Sequence, residues 1–184
     1  MRRVLLLLCV LGLPAAAAEV AGVKLDDKVT VAGKELVLNG AGLRTRAIFK
    51  VYAAGLYVPA KTSDVAAVLA ASPRRVQLTM LRTLSADQLV DALNEGLREN
   101  NGETDLAAIK PQIAELASIM RSFKEARERD VITLDYADGT TRIGLNGEAK
   151  GTIQGDAFNK ALLKVWLGEH PVQGELKRAM LGGG

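Results

Sequence analysis

Asn39-Gly40-Ala41-Gly42-Leu43-Arg44-Thr45-Arg46-Ala47-Ile48-Phe49-Lys50-Val51-Tyr52-Ala53-Ala54-Gly55-Leu56-Tyr57-Val58-Pro59 is the stretch on which the fold turns. Its first four residues predict a glycine-rich corner. From Leu43 to Val58 the residues are those of a β-strand, and Pro59 ends the run because it cannot donate to a ladder. The run is longer than an ordinary strand, which predicts a bend near Gly55 or a bulge elsewhere. On one unbroken strand Arg44 and Tyr52, an even number of residues apart, share a face but lie roughly 27 Å apart at about 3.4 Å per residue. Either the strand bends, or Tyr52 serves a different part of the molecule from Arg44.

Working outward, Val29–Val31 and Glu35–Leu38 flank Ala32-Gly33-Lys34 and predict a hairpin. Ser63–Ala71 predicts a short helix with Ser63 as its cap, and Val76, Leu78 and Met80 alternate as in a strand. Ser85 with Gln88 three residues on forms a capping box, and Leu89, Leu93 and Leu97 give the apolar stripe of the helix it opens, which Asn101-Gly102 closes. Ile109, Ile113, Leu116, Met120 and Phe123 mark a second amphipathic helix, with Pro111 tolerable only in its first turn. Asp138-Gly139 and Asn146-Gly147 join three strands between Val131 and Ile153. Phe158, Leu162, Val165 and Trp166 mark a core-facing helix, Leu176 and Met180 a short last one, and Gly182-Gly183-Gly184 a frayed end. Strands, helices, strands and helices in that order predict an α+β fold, an antiparallel sheet covered by helices on one face.

The chain has 184 residues, 48% of them hydrophobic, enough for one domain with a core of its own. Residues 1–18 are expected to stand outside it as a signal peptide: basic Met1-Arg2-Arg3, the apolar run from Val4 to Leu13, Pro14, then four alanines. Residues 19–184 form the expected mature domain, periplasmic or secreted. Removing Arg2 and Arg3 lowers the formal net charge of +3 by those two charges. No basic block remains for nucleic acid, and no later stretch approaches the roughly 20 apolar residues of a membrane span. The single cysteine, Cys9, lies inside the leader and follows leucines where a lipidation site needs a small residue, so the mature domain has neither thiol nor disulfide.

Several chemistries lack their residues. His170 is the only histidine, so neither a metal site nor a cofactor is expected. The chain contains no G-x-S-x-G elbow, phosphate loop or dinucleotide fingerprint. Asp87, Asp91 and Glu95 read as solvated helix surface. Function is left to a pocket and a few polar groups.

Two segments resemble the chalcone isomerase family. Asn39–Arg44 with Phe49–Val58 resembles the plant stretch glycine-alanine-glycine-x-arginine followed by lysine-phenylalanine-threonine-alanine-x-glycine-x-tyrosine. Leu167-Gly168-Glu169-His170-Pro171-Val172 with Leu176-Lys177-Arg178 resembles the plant glycine-glutamate-histidine-x-valine and leucine-lysine-arginine stretch. The likeness runs from about Val23 to Leu181 and is nearest to the exported bacterial branch. It implies an open-faced β-sandwich, a large antiparallel sheet under a helical layer, with a ligand cleft between them.

The resemblance also assigns residues. Arg44 falls on the arginine that receives the anionic substrate, and Tyr52 on a threonine that polarises the ketone. Leu89, Gly96 and Val165, the last beside Trp166, fall on polar catalytic positions. Only the arginine is kept. A cyclase needs preorganised donors where charge develops, so no catalytic residue is expected. An arginine fork at an apolar cleft suits a carboxylate-bearing apolar acid, and fatty-acid-binding relatives use the cleft this way. The expected ligand site is therefore Arg44, Tyr52, Leu89 and Trp166. The alternatives are an intramolecular lyase acting on an enone-like or phenolic substrate through Tyr52, and a structural protein whose collapsed cleft only completes the core. From the residues alone Arg44 is an exposed strand arginine, Trp166 and Phe158 are core, His170 stabilises helix C-terminal carbonyls, and Glu169 forms at most a local salt bridge.

Overall fold

The structure, a computed structural model, describes residues 18–183. Residues 1–17, which hold nearly all of the expected leader and Cys9, and Gly184 lie outside the described residues. In chain order the elements are β1 (Ala18–Val20), β2 (Val23–Leu25), β3 (Lys28–Val31), β4 (Lys34–Arg46), β5 (Phe49–Val58), α1 (Val65–Ala70), β6 (Arg74–Met80), β7 (Leu84–Ser85) and α2 (Ala86–Asn100). There follow α3 (Glu103–Ala108), α4 (Lys110–Ser122), β8 (Glu125–Ala126), β9 (Val131–Ala137), β10 (Thr140–Leu145), β11 (Glu148–Gln154), α5 (Asp156–Leu167) and α6 (Gly174–Met180). Seven strands form one antiparallel sheet in the order β11-β10-β9-β6-β5-β4-β3.

One face of the sheet carries the main core, with α2, α4, α5 and α6 over it. The β1–β2 hairpin covers part of the other face, where Leu25, Val31, Leu36, Leu38 and Tyr57 form a second, smaller core. This is the expected α+β fold. The capping box closes as read: Ser85 Oγ accepts from Gln88 N at 3.2 Å and Gln88 Oε1 from Ser85 N at 3.0 Å. Both glycine-containing turns between β9, β10 and β11 also form where read.

Four local expectations are corrected. The run from Leu43 to Val58 is two strands rather than one bent strand: it reverses at Ala47-Ile48, and β4 pairs with β5 with Arg44 opposite Tyr52. The glycine-rich stretch is the middle of β4 instead of a corner. A Cβ on Gly40 would lie 2.1 Å from the Ala179 carbonyl oxygen, and one on Gly42 2.8 Å from Ala179 Cβ, so these glycines let α6 rest on the strand. Asp64, and not Ser63, caps α1, accepting from Ala66 N and Ala67 N. The glycines after Met180 are tied rather than frayed as far as Gly183: Gly182 N and Gly183 N donate to Ala179 O and Arg178 O, and Gly182 takes φ 80°. Helix α3, between Gly102 and Ile109, was not anticipated.

A bulge aims β4 at the helices. Leu36 and Leu38 belong to the small core, with Leu38 opposite Tyr57, but past Asn39 the register shifts and Gly40 faces Leu56 of the main core. The extra residue reverses the alternation of faces, and Arg44 thereby shares the helical side with its partner Tyr52. Asn39 itself is buried and satisfied: its Nδ2 donates to Met180 O at 2.8 Å and its Oδ1 accepts from Thr62 N at 2.7 Å.

Candidate functional site

Between sheet and helices lies a crevice with two unlike parts. The inner part is an apolar slot of about 50 Å³. Leu134, Ile143 and Tyr52 contribute from the sheet, and Leu89, Met120 and Trp166 from α2, α4 and α5. The outer part is a groove of about 520 Å³ bordered by Arg44, Arg46 and Arg82, with Glu95 and Glu99 along α2. Tyr52, Leu89, Ala92 and Val172 line both, so the groove is the mouth of the slot.

The expected site residues come together here. Arg44 borders the mouth, Tyr52 and Leu89 stand at the junction, and Trp166 lines the inner slot. The turn at Ala47-Ile48 is what unites them: cross-strand neighbours have Cβ atoms about 5 Å apart, in place of the roughly 27 Å of an unbroken strand. Arg44 and Tyr52 can therefore serve a single headgroup.

Arg44 is half-buried and held by neutral acceptors. Its Nη1 donates to Thr45 O at 2.8 Å and to Gln173 Oε1 at 3.4 Å, and that same Oε1 accepts from Thr45 N at 2.9 Å. Among the described residues it forms no salt bridge. A guanidinium fixed in place but without a counter-charge is a ready receptor for an anion.

Tyr52 is buried, and its hydroxyl accepts from Trp166 Nε1 at 3.0 Å. Burial pushes the phenol above its ordinary value, while the indole donor and the Arg44 charge each pull it part of the way back. It stays a neutral O–H at physiological pH. The indole occupies the oxygen as an acceptor, leaving the hydroxyl proton available to donate.

Trp166 owes its position to a polar group that sequence reasoning missed. Arg74, only 3% exposed, donates to Asn159 Oδ1 from Nε at 3.0 Å and from Nη2 at 2.6 Å. It also donates to Ala71 O and stacks 4.0 Å over the Tyr136 ring. Asn159 Nδ2 in turn donates to Thr141 Oγ1 at 2.8 Å. This ties α5 to the sheet in one rotation, and Trp166, two turns on, faces the slot on the same side as Asn159. A polar residue on the apolar stripe of α5, seven residues before Trp166, was the available signal.

A Cβ on Gly96 would lie 2.7 Å from Val165 Cγ1, so glycine at that position sets the close approach of α2 to α5. His170 does not take the role expected of it. Its side chain is exposed, and the C-terminal carbonyl of α5 at Gly168 instead accepts from Lys177 Nζ at 2.8 Å. Glu169 is in no ion pair, and no group of three or more potential metal ligands occurs, among the described residues. Phe158 is fully buried core, as read.

A family model described as chalcone isomerase-like matches residues 17–182. Among curated proteins none matches the chain. A crystal structure of a fatty-acid binding protein from Arabidopsis thaliana superposes with a TM-score of 0.66 at 13% identity, covering 87% of this chain and 92% of that one. At that identity the likeness establishes the shared fold.

Proposed function

The chain belongs to the chalcone isomerase-like family, and from that premise we propose that it is a non-catalytic binder of an apolar carboxylate, fatty-acid-like in character. The observation that carries this reading is an arginine that, among the described residues, has no carboxylate partner, at the mouth of a slot whose other walls are almost wholly hydrocarbon. In such a site the headgroup accepts from the free donors of Arg44 and from the Tyr52 hydroxyl, while the tail leaves water between Leu89, Met120 and Trp166. The slot of about 50 Å³ is small beside the roughly 300 Å³ or more of ordinary ligand pockets. Tail entry therefore requires Leu89 and Met120 to change rotamer, and methionine yields easily. The fatty-acid binding neighbour of the same fold supports the choice of ligand class.

We also propose that the chain is exported, with residues 1–18 removed. Sequencing the N-terminus of the mature protein tests this, and retention of Met1 would overturn it. Native mass spectrometry of gently extracted protein, followed by calorimetry with fatty acids on wild type and Arg44→Ala, tests the binding reading. A bound acid that Arg44→Ala releases is expected. An empty protein without affinity for any fatty acid would defeat the proposal.

One observation favours a second reading, an intramolecular lyase acting on an enone-like or phenolic substrate: the Tyr52 hydroxyl is oriented by Trp166 and retains a proton to donate. That is a single neutral donor for a developing oxyanion, where such sites ordinarily aim several. Turnover of a chalcone panel that Tyr52→Phe abolishes with folding intact would promote this reading over the first.

A further inference from the structure

The tip of the β4–β5 hairpin breaks the rules that the other two-residue hairpin turns among the described residues obey. Ala21-Gly22, Ala32-Gly33, Asp138-Gly139 and Asn146-Gly147 each place a small or polar residue and then a glycine at positive φ, the chemistry a two-residue hairpin asks for. At the corresponding place between β4 and β5 stand Ala47, at φ 52°, and Ile48. Ile48 is 89% exposed and Phe49 53% exposed, the exposed large hydrophobics among the described residues. Isoleucine at the apex of a turn contributes nothing to the turn and leaves its apolar surface in water. A local conflict of this kind points to function.

The surroundings say what the tip meets. Arg46, Lys50 and Arg82 are exposed beside it, and with Arg44 none is in a salt bridge among the described residues. The Arg82 guanidinium lies 4.7 Å over the Phe49 ring, which orients the ring without covering it. Apolar side chains at an apex with cations just behind them match the depth profile of an anionic bilayer: hydrocarbon below, negative headgroups above. A second copy of the chain fits poorly, because a two-fold contact through the tip would bring the two cation clusters together.

We propose that the β4–β5 tip docks on an anionic lipid bilayer, with Ile48 and Phe49 entering the interface and Arg46, Lys50 and Arg82 against the headgroups. Ala47 and Phe49 border the groove that opens into the slot, so docking turns the mouth toward the membrane. Passage of an amphiphile from bilayer to slot rests on the apolar-acid reading above, whereas docking itself does not.

Flotation of the mature chain with equimolar phosphatidylglycerol–phosphatidylcholine vesicles, against pure phosphatidylcholine vesicles, tests the proposal. Binding to the anionic vesicles that weakens as salt rises is expected. Ile48→Asp and Phe49→Ser should each lower partitioning at least tenfold, and Arg82→Gln about fivefold. Ile48 does not border the groove, so in vesicle-free buffer Ile48→Asp should bind a brominated fatty acid as wild type does. Three results would overturn the docking: no preference for anionic vesicles, Ile48→Asp and Phe49→Ser floating as wild type does, or a wild-type dimer in sedimentation that Ile48→Asp dissociates. Failure of wild type to bind the brominated acid, with flotation intact, would instead sink the ligand reading and leave the docking standing.

Discussion

Replacing Arg44 by glutamine removes the one charge expected to recognise the ligand while keeping a polar side chain at the mouth. Hydrogen bonds to charged groups contribute about 1.5–3 kcal/mol. Arg44 is only half-buried and already shares Nη1 with Thr45 O and Gln173 Oε1, so solvent screening places the effect near the lower end, about tenfold in affinity. The chain offers its own reporter, because Trp166 is its single tryptophan and lines the slot. A fatty acid brominated along its chain should quench the Trp166 emission on contact, and the matching brominated alcohol provides the same tail without the charge. Wild type should bind the acid about tenfold more tightly than the alcohol. Arg44→Gln should bring the two curves together by weakening the acid alone. An acid preference that survives Arg44→Gln, or its absence in wild type, would refute the assignment of Arg44 as the anchor.

Three other substitutions probe the walls of the site and the core behind it. Trp166→Phe deletes the indole donor to Tyr52 and should weaken acid binding about threefold to tenfold by calorimetry; a loss of stability with affinity unchanged would make Trp166 purely structural. Gly96→Ala puts a methyl 2.7 Å from Val165 Cγ1; despite the better helix propensity, overpacking should cost about 1 kcal/mol net, or roughly 2–4 °C in Tm, and an unchanged Tm would count against the tight α2–α5 contact. Tyr57 is fully buried with its hydroxyl unpartnered, and burial first, then the nearby Asp26, pushes its phenol up to about 12. The folded state thus holds this proton more tightly than the unfolded chain. Its stabilising effect is complete below the unfolded value of about 10 and is lost as pH rises toward 12, by at most about 1.4 kcal/mol per unit. Tyr57→Phe should match or exceed wild-type stability at pH 8 by about 1 kcal/mol and flatten the urea-midpoint decline between pH 9 and pH 11; an equally steep decline in the variant would disprove this origin.

Legibility followed the chemistry of single residues. The Ser85–Gln88 cap, the turns at Asp138-Gly139 and Asn146-Gly147, and the Val76, Leu78, Met80 alternation each carry their own local cause and appear where read. The turn at Ala47-Ile48 carries none; only the excessive length of the run betrays it, as a bend near Gly55 or a bulge elsewhere. An unbroken strand would hold Arg44 and Tyr52 far apart, whereas the structure pairs them across one ladder. The glycines at positions 40 and 42 read as a corner, whereas their role is closeness to α6, a tertiary matter that no local pattern reveals. The Asn39 bulge and the Arg74–Asn159–Thr141 chain are likewise long-range. The one sets which side of β4 Arg44 occupies, and the other sets the rotation of α5. The four residues named for the ligand nonetheless all border the one crevice.

The most direct measurement is a crystal structure of the protein with a fatty acid brominated near its tail end, the bromine located by its anomalous signal. The account predicts the carboxylate within hydrogen-bonding distance of Arg44 and the bromine inside, among Leu89, Met120 and Trp166. A carboxylate turned away from Arg44, or an acid lying wholly outside a closed slot, would contradict it.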